Sequence, residues 1–146
     1  MKVLIAIDFS QATPILLSEV KRFTEILSAQ VWLIHVAAPD PYFAGYELGP
    51  QSMRDEAAQE FRKEHMALQR EVQAFRDMGV DATALMVQGQ TAQTILQEAE
   101  SLKADLIIIG SHGYGAVHHL LVGSVSEHIL RKAKCPILVI PTHTGV

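Results

Sequence analysis

"DLIIIGSHGYGAVHHLLVGSVSE", residues 105 to 127, changes character twice along its length. It opens as an unbroken apolar run, Leu106 to Ile109, with no polar residue to face water. Strands of that kind are buried on both faces, and such strands build parallel sheets. The stretch then turns glycine-rich: four glycines and three histidines fall between Gly110 and Glu127. It closes on Ser124-x-x-Glu127, with Val125, Ile129 and Ala133 at helical spacing. A strand, a glycine loop and a helix in that order form the start of a parallel crossover unit.

Working outward, four more apolar runs repeat the first half of this pattern. They are "KVLIAI" (2–7), "VWLIHV" (31–36), "ATALMV" (82–87) and "PILVIP" (136–141). Helical patterns separate them. Ala12, Leu16, Val20, Phe23 and Leu27 mark one, and Ala57, Phe61, Leu68, Val72 and Phe75 a longer, more charged one. Ala92, Ile95, Ala99 and Leu102 mark a third ahead of the helix after Ser124. Ser10, Ser52 with Asp55, Thr91, and Ser124 with Glu127 are expected starts, and Gly79 an expected stop. Strict alternation predicts an α/β fold: a single doubly wound domain over residues 1–146. Its Rossmann-like core has a five-stranded parallel sheet and about four helices, joined by right-handed crossovers.

In such folds ligands bind beyond the carboxyl ends of the strands, where strand order reverses. The informative positions are therefore Asp8-Phe9-Ser10, Ala37 onward, Gln88-Gly89, and Gly110 onward. The segment after the second strand, "AAPDPYFAGYELGPQ" (37–51), is long for a connection. It is read either as a lid or partner surface, or as a plain connection.

Composition excludes several classes. With 146 residues, 49% hydrophobic and 19% charged, the chain has the means to bury a core. A net charge of −4, with no block of like charge, argues against nucleic acid or an anionic membrane as partner. The single cysteine, Cys135, allows no internal disulfide and reads as an inert thiol before a Pro and an apolar run. Neither C-x-x-C nor His-Glu-x-x-His occurs. The first apolar run is too short for a signal peptide and no stretch approaches a membrane span, so the expected location is the cytoplasm.

Gly110, Gly113 and Gly123 follow the spacing G-x2-G-x9-G, with Ser124 next. Glycines let the backbone approach an anion and point N–H groups at it, and the helix beginning at Ser124 adds free N–H groups and a positive dipole end. Two plainer readings stay open: Ser124-x-x-Glu127 is also a capping box, and glycines also simply make turns. A Walker A loop is excluded because Val122 precedes Gly123 and no Lys follows. A dinucleotide fingerprint would need glycine at position 118, which is His, and should follow the first strand.

Other candidates are weaker. His118 and His119 are adjacent, and neighbouring side chains on a loop rarely converge on one metal ion. His35, inside an apolar strand, reads as a satisfied core histidine, and His112 as either a cradle contact or solvent-exposed. Asp8 is a helix cap or a ligand group. No nucleophile–base pair stands out, and the cradle holds no Lys or Arg. Charge on a bound phosphate would fall to backbone dipoles and a bound Mg²⁺ or Mn²⁺, an arrangement suited to binding more than to fast turnover.

These residues resemble the universal stress protein family, in its ATP-binding branch. "AIDFS" (6–10), "IHV" (34–36), "GSHG…GS" (110–124) and "CPILVIP" (135–141) carry the resemblance, which spans essentially the whole chain. It implies an adenine nucleotide alpha hydrolase-like fold and a bound adenine nucleotide, ATP or else ADP or AMP, with Mg or Mn held through the phosphates. Ala6 and Asp8 would border the adenosine, and Val36 would offer main-chain groups to the adenine. Gly110, Ser111, His112, Gly113, Tyr114, Gly115 and Ala116 would wrap ribose and phosphates. Ser124, Val125 and Ser126 would hold the phosphate tail.

The leading expectation is a nucleotide-dependent regulator of the stress response. It would act on a protein partner, for which a membrane transporter is one kind the family uses. The alternatives are an enzyme, at most a slow ATPase, and a dimeric interaction module with a structural glycine loop. The resemblance also puts the last strand at the sheet edge. There Ile137 to Ile140 carry no charge to discourage pairing, so a homodimer through that strand is expected.

Overall fold

A computed structural model describes residues 1–37, 51–113 and 122–142. Most of the loop at 37–51, together with Tyr114, Gly115, Ala116, His118 and His119, lies outside the described residues. The chain runs β1 (Lys2–Ile7), α1 (Ala12–Leu27), β2 (Gln30–Ala37), α2 (Gln51–Asp77), β3 (Asp81–Gln88), α3 (Thr91–Leu102), β4 (Leu106–Gly110), α4 (Ser124–Lys132) and β5 (Ile137–Ile140). Each strand lies within a residue of its apolar run. Every pairing is parallel, in the order β3-β2-β1-β4-β5.

That order sets the reversal point. The chain builds outward from β1 through β2 to β3, then crosses back to lay β4 on the other side of β1 and β5 beyond it. Val3 shows the geometry, flanked by Val31 of β2 and Leu106 of β4. The cleft between diverging connections therefore opens at the ends of β1 and β4.

The apolar runs lack polar alternation because both sheet faces are covered. Val3, Ile5 and Ile7 point to the side where Leu16, Leu17 and Val20 of α1 and Leu68, Val72 and Phe75 of α2 pack. Leu4, Ile34 and Ile107 point the other way, against Ile95 and Ala99 of α3 and Ile129 of α4. The charged second helix buries only its apolar stripe, and the rest of its described surface is largely exposed.

Helix ends depart from the expected caps. α1 starts after Gln11, not on Ser10, although the Ala12 N–H still donates to Ser10 Oγ at 3.2 Å. α3 starts after Gln90, with no side-chain cap, and Thr91 is its first helical residue. Ser52 is the second residue of α2. The capping box expected at Ser124 and Glu127 is not formed: Gly123 holds the cap position and Glu127 instead accepts from Arg131 at 2.7 Å. Gly79 ends α2 as expected, at φ +82, with its N–H on Arg76 O at 2.9 Å and the Val80 N–H on Phe75 O at 3.1 Å. No described helix is long and apolar enough to cross a membrane.

Candidate functional site

The chain leaves β1 through a tight turn. Asp8 Oδ1 accepts the Ser10 N–H at 2.9 Å and the Thr13 hydroxyl at 3.3 Å, so the carboxylate is held by the start of α1. Phe9 between them takes φ 58, a left-handed conformation uncommon for a bulky residue. Its ring centroid lies 4.7 Å from that of His35.

The glycine loop meets this turn. A side chain on Gly113 would run into Asp8 Oδ2, so the two segments approach as closely as backbone and carboxylate allow. Gly110 is crowded from another side: a Cβ there would stand 3.0 Å from Thr142 Cγ2, so the threonine would have to give way slightly. Thr142 is the centre of a buried knot. Its N–H donates to Ser111 Oγ at 3.0 Å, its hydroxyl donates to His112 O at 2.9 Å, and it accepts the His112 N–H at 3.0 Å. Ser111 Oγ also lies 3.0 Å from His112 Nδ1. The far end of the loop returns to the same place, with the Gly123 N–H on Ser111 O at 2.8 Å.

α4 then begins. Its cap position is Gly123, at φ −69 and ψ 164, a residue with no side chain to accept from the first turn. The Ser126 hydroxyl donates to Gly110 O at 2.7 Å and so ties the helix to the end of β4. A helix end left this way presents unsatisfied N–H groups and the positive end of the dipole.

These parts surround one cleft of about 170 Å³, far more than one water requires. One wall is apolar, with Ala6, Val36, Ile95 and Ile109; the other carries Asp8, Thr13 and the polar rim of the glycine loop. Among the described residues no Lys or Arg lines it. The arrangement can hold a flat apolar group on one side and an anion on the other.

Of the residues expected from sequence, Ala6, Asp8, Val36, Gly110, His112, Gly113, Gly123, Ser124, Val125 and Ser126 all line this cleft. Ser111 does not; it is buried behind the rim, where its hydroxyl serves Thr142. Tyr114, Gly115 and Ala116 lie outside the described residues. Sequence reading missed Thr13 and Thr142. Thr142 could have been found, because it follows the last strand as Asp8 follows the first. No cluster of three His, Cys, Asp or Glu residues suited to a metal exists among the described residues. Cys135 is half-buried, and burial, followed by the Asp105 charge, raises its pKa and keeps the thiol protonated.

Comparison with known proteins places this geometry. The family model described as "Universal stress protein family" matches residues 1–141. The chain is 33% identical over 141 residues to a universal stress protein of Thermus aquaticus, covering 94% of this chain and 96% of that one. The solved structure of MJ0577, a universal stress protein of Methanocaldococcus jannaschii, superposes at a TM-score of 0.81 with 27% identity, covering 99% of this chain and 97% of that one. A universal stress protein family protein from Arabidopsis thaliana, solved with AMP bound, superposes at 0.72 with 20% identity, covering 99% and 93%. At that identity it supports the fold alone.

Proposed function

Since the chain belongs to the universal stress protein family, we propose that its cleft binds an adenine nucleotide, ATP first among them, and that the protein acts as a nucleotide-dependent regulator. One observation carries the reading: α4 starts on Gly123 with no capping side chain, beside Gly110 and Gly113, at the mouth of a cleft with an apolar wall. A structural glycine loop would be expected to complete the Ser124–Glu127 capping box; here Glu127 is engaged by Arg131 instead.

The residues present fit the group. The apolar wall by Val36 and Ile95 suits adenine, Asp8 suits ribose hydroxyls, and the Gly123–Ser126 backbone suits phosphate. The spacing of Gly110, Gly113 and Gly123 supports our reading of the chain as a member of the family's ATP-binding branch. With no cationic side chain among the described lining residues, a Mg²⁺ or Mn²⁺ carried on the phosphates would supply the missing positive charge. The same lack favours holding the nucleotide over turning it over. We place the protein in the cytoplasm, as a homodimer whose ordered loop is read by another protein.

The test is mass spectrometry of small molecules released from the denatured protein, with calorimetry of ATP, ADP and AMP. Retention of an adenine nucleotide, or micromolar binding of one, is expected; absence of both sinks the reading.

A further inference from the structure

His35 is a buried polar side chain just behind the cleft. It is 8% exposed and sits near the carboxyl end of β2, in register with Ile7 of β1 and Met86 of β3. Its ring touches oxygen at both ends. Nδ1 is 3.1 Å from the carbonyl of Ile7, and Nε2 is 3.0 Å from Glu64 Oε2 on α2. A carbonyl only accepts, so Nδ1 carries a proton. A neutral ring protonated there would turn its Nε2 lone pair on the carboxylate. The contact therefore holds one further proton, on the ring or on the carboxyl group.

The ring that this contact anchors bears on the cleft through two grips. The ring bonds Ile7, the residue before Asp8, and packs against Phe9, the residue after it, at an interplanar angle of 56°. Phe9 is the residue held in the left-handed conformation. Asp8, between the grips, lines the cleft and occupies the space beside Gly113.

We propose that His35 is a positioning residue: the protonated His35–Glu64 pair fixes the turn that aims Asp8 into the cleft, and loss of the proton loosens it. Glu64 is the carboxylate that reaches the ring from α2, and Asp8 is the charged group on the turn itself. β3 brings the uncharged Met86 alongside, and Thr13 of α1 reaches Asp8, not the ring. The sign follows from the geometry. The contact is made while the pair keeps its proton and is lost when the proton leaves, so it weakens toward the alkaline side. Ligand affinity, which rests on the nucleotide reading above, falls in the same direction.

The experiment uses the full chain with ¹⁵N-labelled histidine, followed by NMR across a pH series. Backbone amides of Phe9, Ser10 and Gly113 should shift with the same midpoint as the His35 ring. In Glu64→Gln the side-chain amide can donate to a neutral ring, so those amides should stay at their low-pH positions throughout. In Glu64→Ala they should stay displaced throughout. Adenosine, which has no phosphate to titrate, should bind wild type about fivefold more weakly at the alkaline end, the low end of usual coupling between sites. Its affinity for Glu64→Gln should be flat. The proposal is overturned if the ring titrates without moving the turn amides, or if Glu64→Ala leaves them in place. If neither adenosine nor ATP binds at any pH, the nucleotide reading fails, while the amide shifts still decide the role of His35.

Discussion

The carboxylate of Asp8 fills the volume that a side chain on Gly113 would need. Two segments a hundred residues apart in sequence thus share one van der Waals boundary, and either can be displaced only by moving the other. Gly113→Ala should therefore evict the carboxylate, costing about 1–3 kcal/mol as overpacking does. Asp8→Ala should cost about 1 kcal/mol for the bonds to Ser10 and Thr13, and weaken nucleotide binding in a folded protein. In the double variant the clash disappears, so the two effects should fall short of their sum. Chemical denaturation of the four proteins checks this; strict additivity would refute the contact.

Gly123 differs from Gly113. Its φ is −69, and the nearest atom a Cβ would meet is Ser111 O at 3.5 Å, an ordinary contact. Gly123→Val should therefore fold, losing about 1 kcal/mol at the cap position. Its branched side chain would stand where the phosphate is proposed to sit, so affinity should fall by more than about tenfold, some 1.4 kcal/mol. Calorimetry beside a melting curve separates the effects; full affinity in a stable variant would make the glycine spacing purely structural.

Thr142→Val keeps shape and removes the hydroxyl. It removes the bonds that the hydroxyl makes to the His112 N–H and carbonyl behind the glycine loop, at a cost of about 1–3 kcal/mol. Thr142→Ser keeps both bonds and should lose less. A denaturant midpoint for Thr142→Val equal to wild type would show that the knot contributes nothing.

Turnover of ATP should stay below the ~1 s⁻¹ low end of ordinary enzymes, because no cationic clamp lines the described cleft. Phosphate release is the measurement. Faster hydrolysis that vanishes in Gly123→Val would move the protein among the enzymes.

Among the described residues β5 stands at the sheet edge with β4 as its one strand neighbour. Ile137, Leu138 and Val139 are each half-buried. If the strand pairs with its own copy, Val139→Lys should give monomers in sedimentation, while the cleft keeps its ligand. A wild-type monomer at micromolar concentration would end the dimer proposal.

The sheet was legible in the sequence because burial on both faces removes polar residues outright. "KVLIAI" has the same bounds as β1, and the other four runs err by one residue. Gly110, Gly113 and Gly123 were legible as a group because spacing survives in one dimension. What sequence did not show was decided by distant partners. Ser124 looks like a cap until Arg131 takes Glu127 and Gly123 takes the cap position. Phe9 has no sequence mark of a left-handed residue; its conformation goes with the tilted ring contact to His35 from another strand. Ser28 and Lys103 end their helices in the same left-handed region without being glycine, so those ends carried no signal.

The Thr142 knot has a consequence for synthesis. β1, β2 and β3 with α1 and α2 form one contiguous side of the sheet and can assemble as the ribosome delivers them. The rim of the cleft cannot. Ser111 and His112 gain their bonds to Thr142 only when that residue arrives, and Asp8, made at the outset, meets Gly113 only a hundred or so residues later. The cleft is therefore a late product of translation. A nascent chain halted before residue 142 would carry most of its core and an unfinished rim, so competence to bind becomes a signal that the chain has been read through its fifth strand.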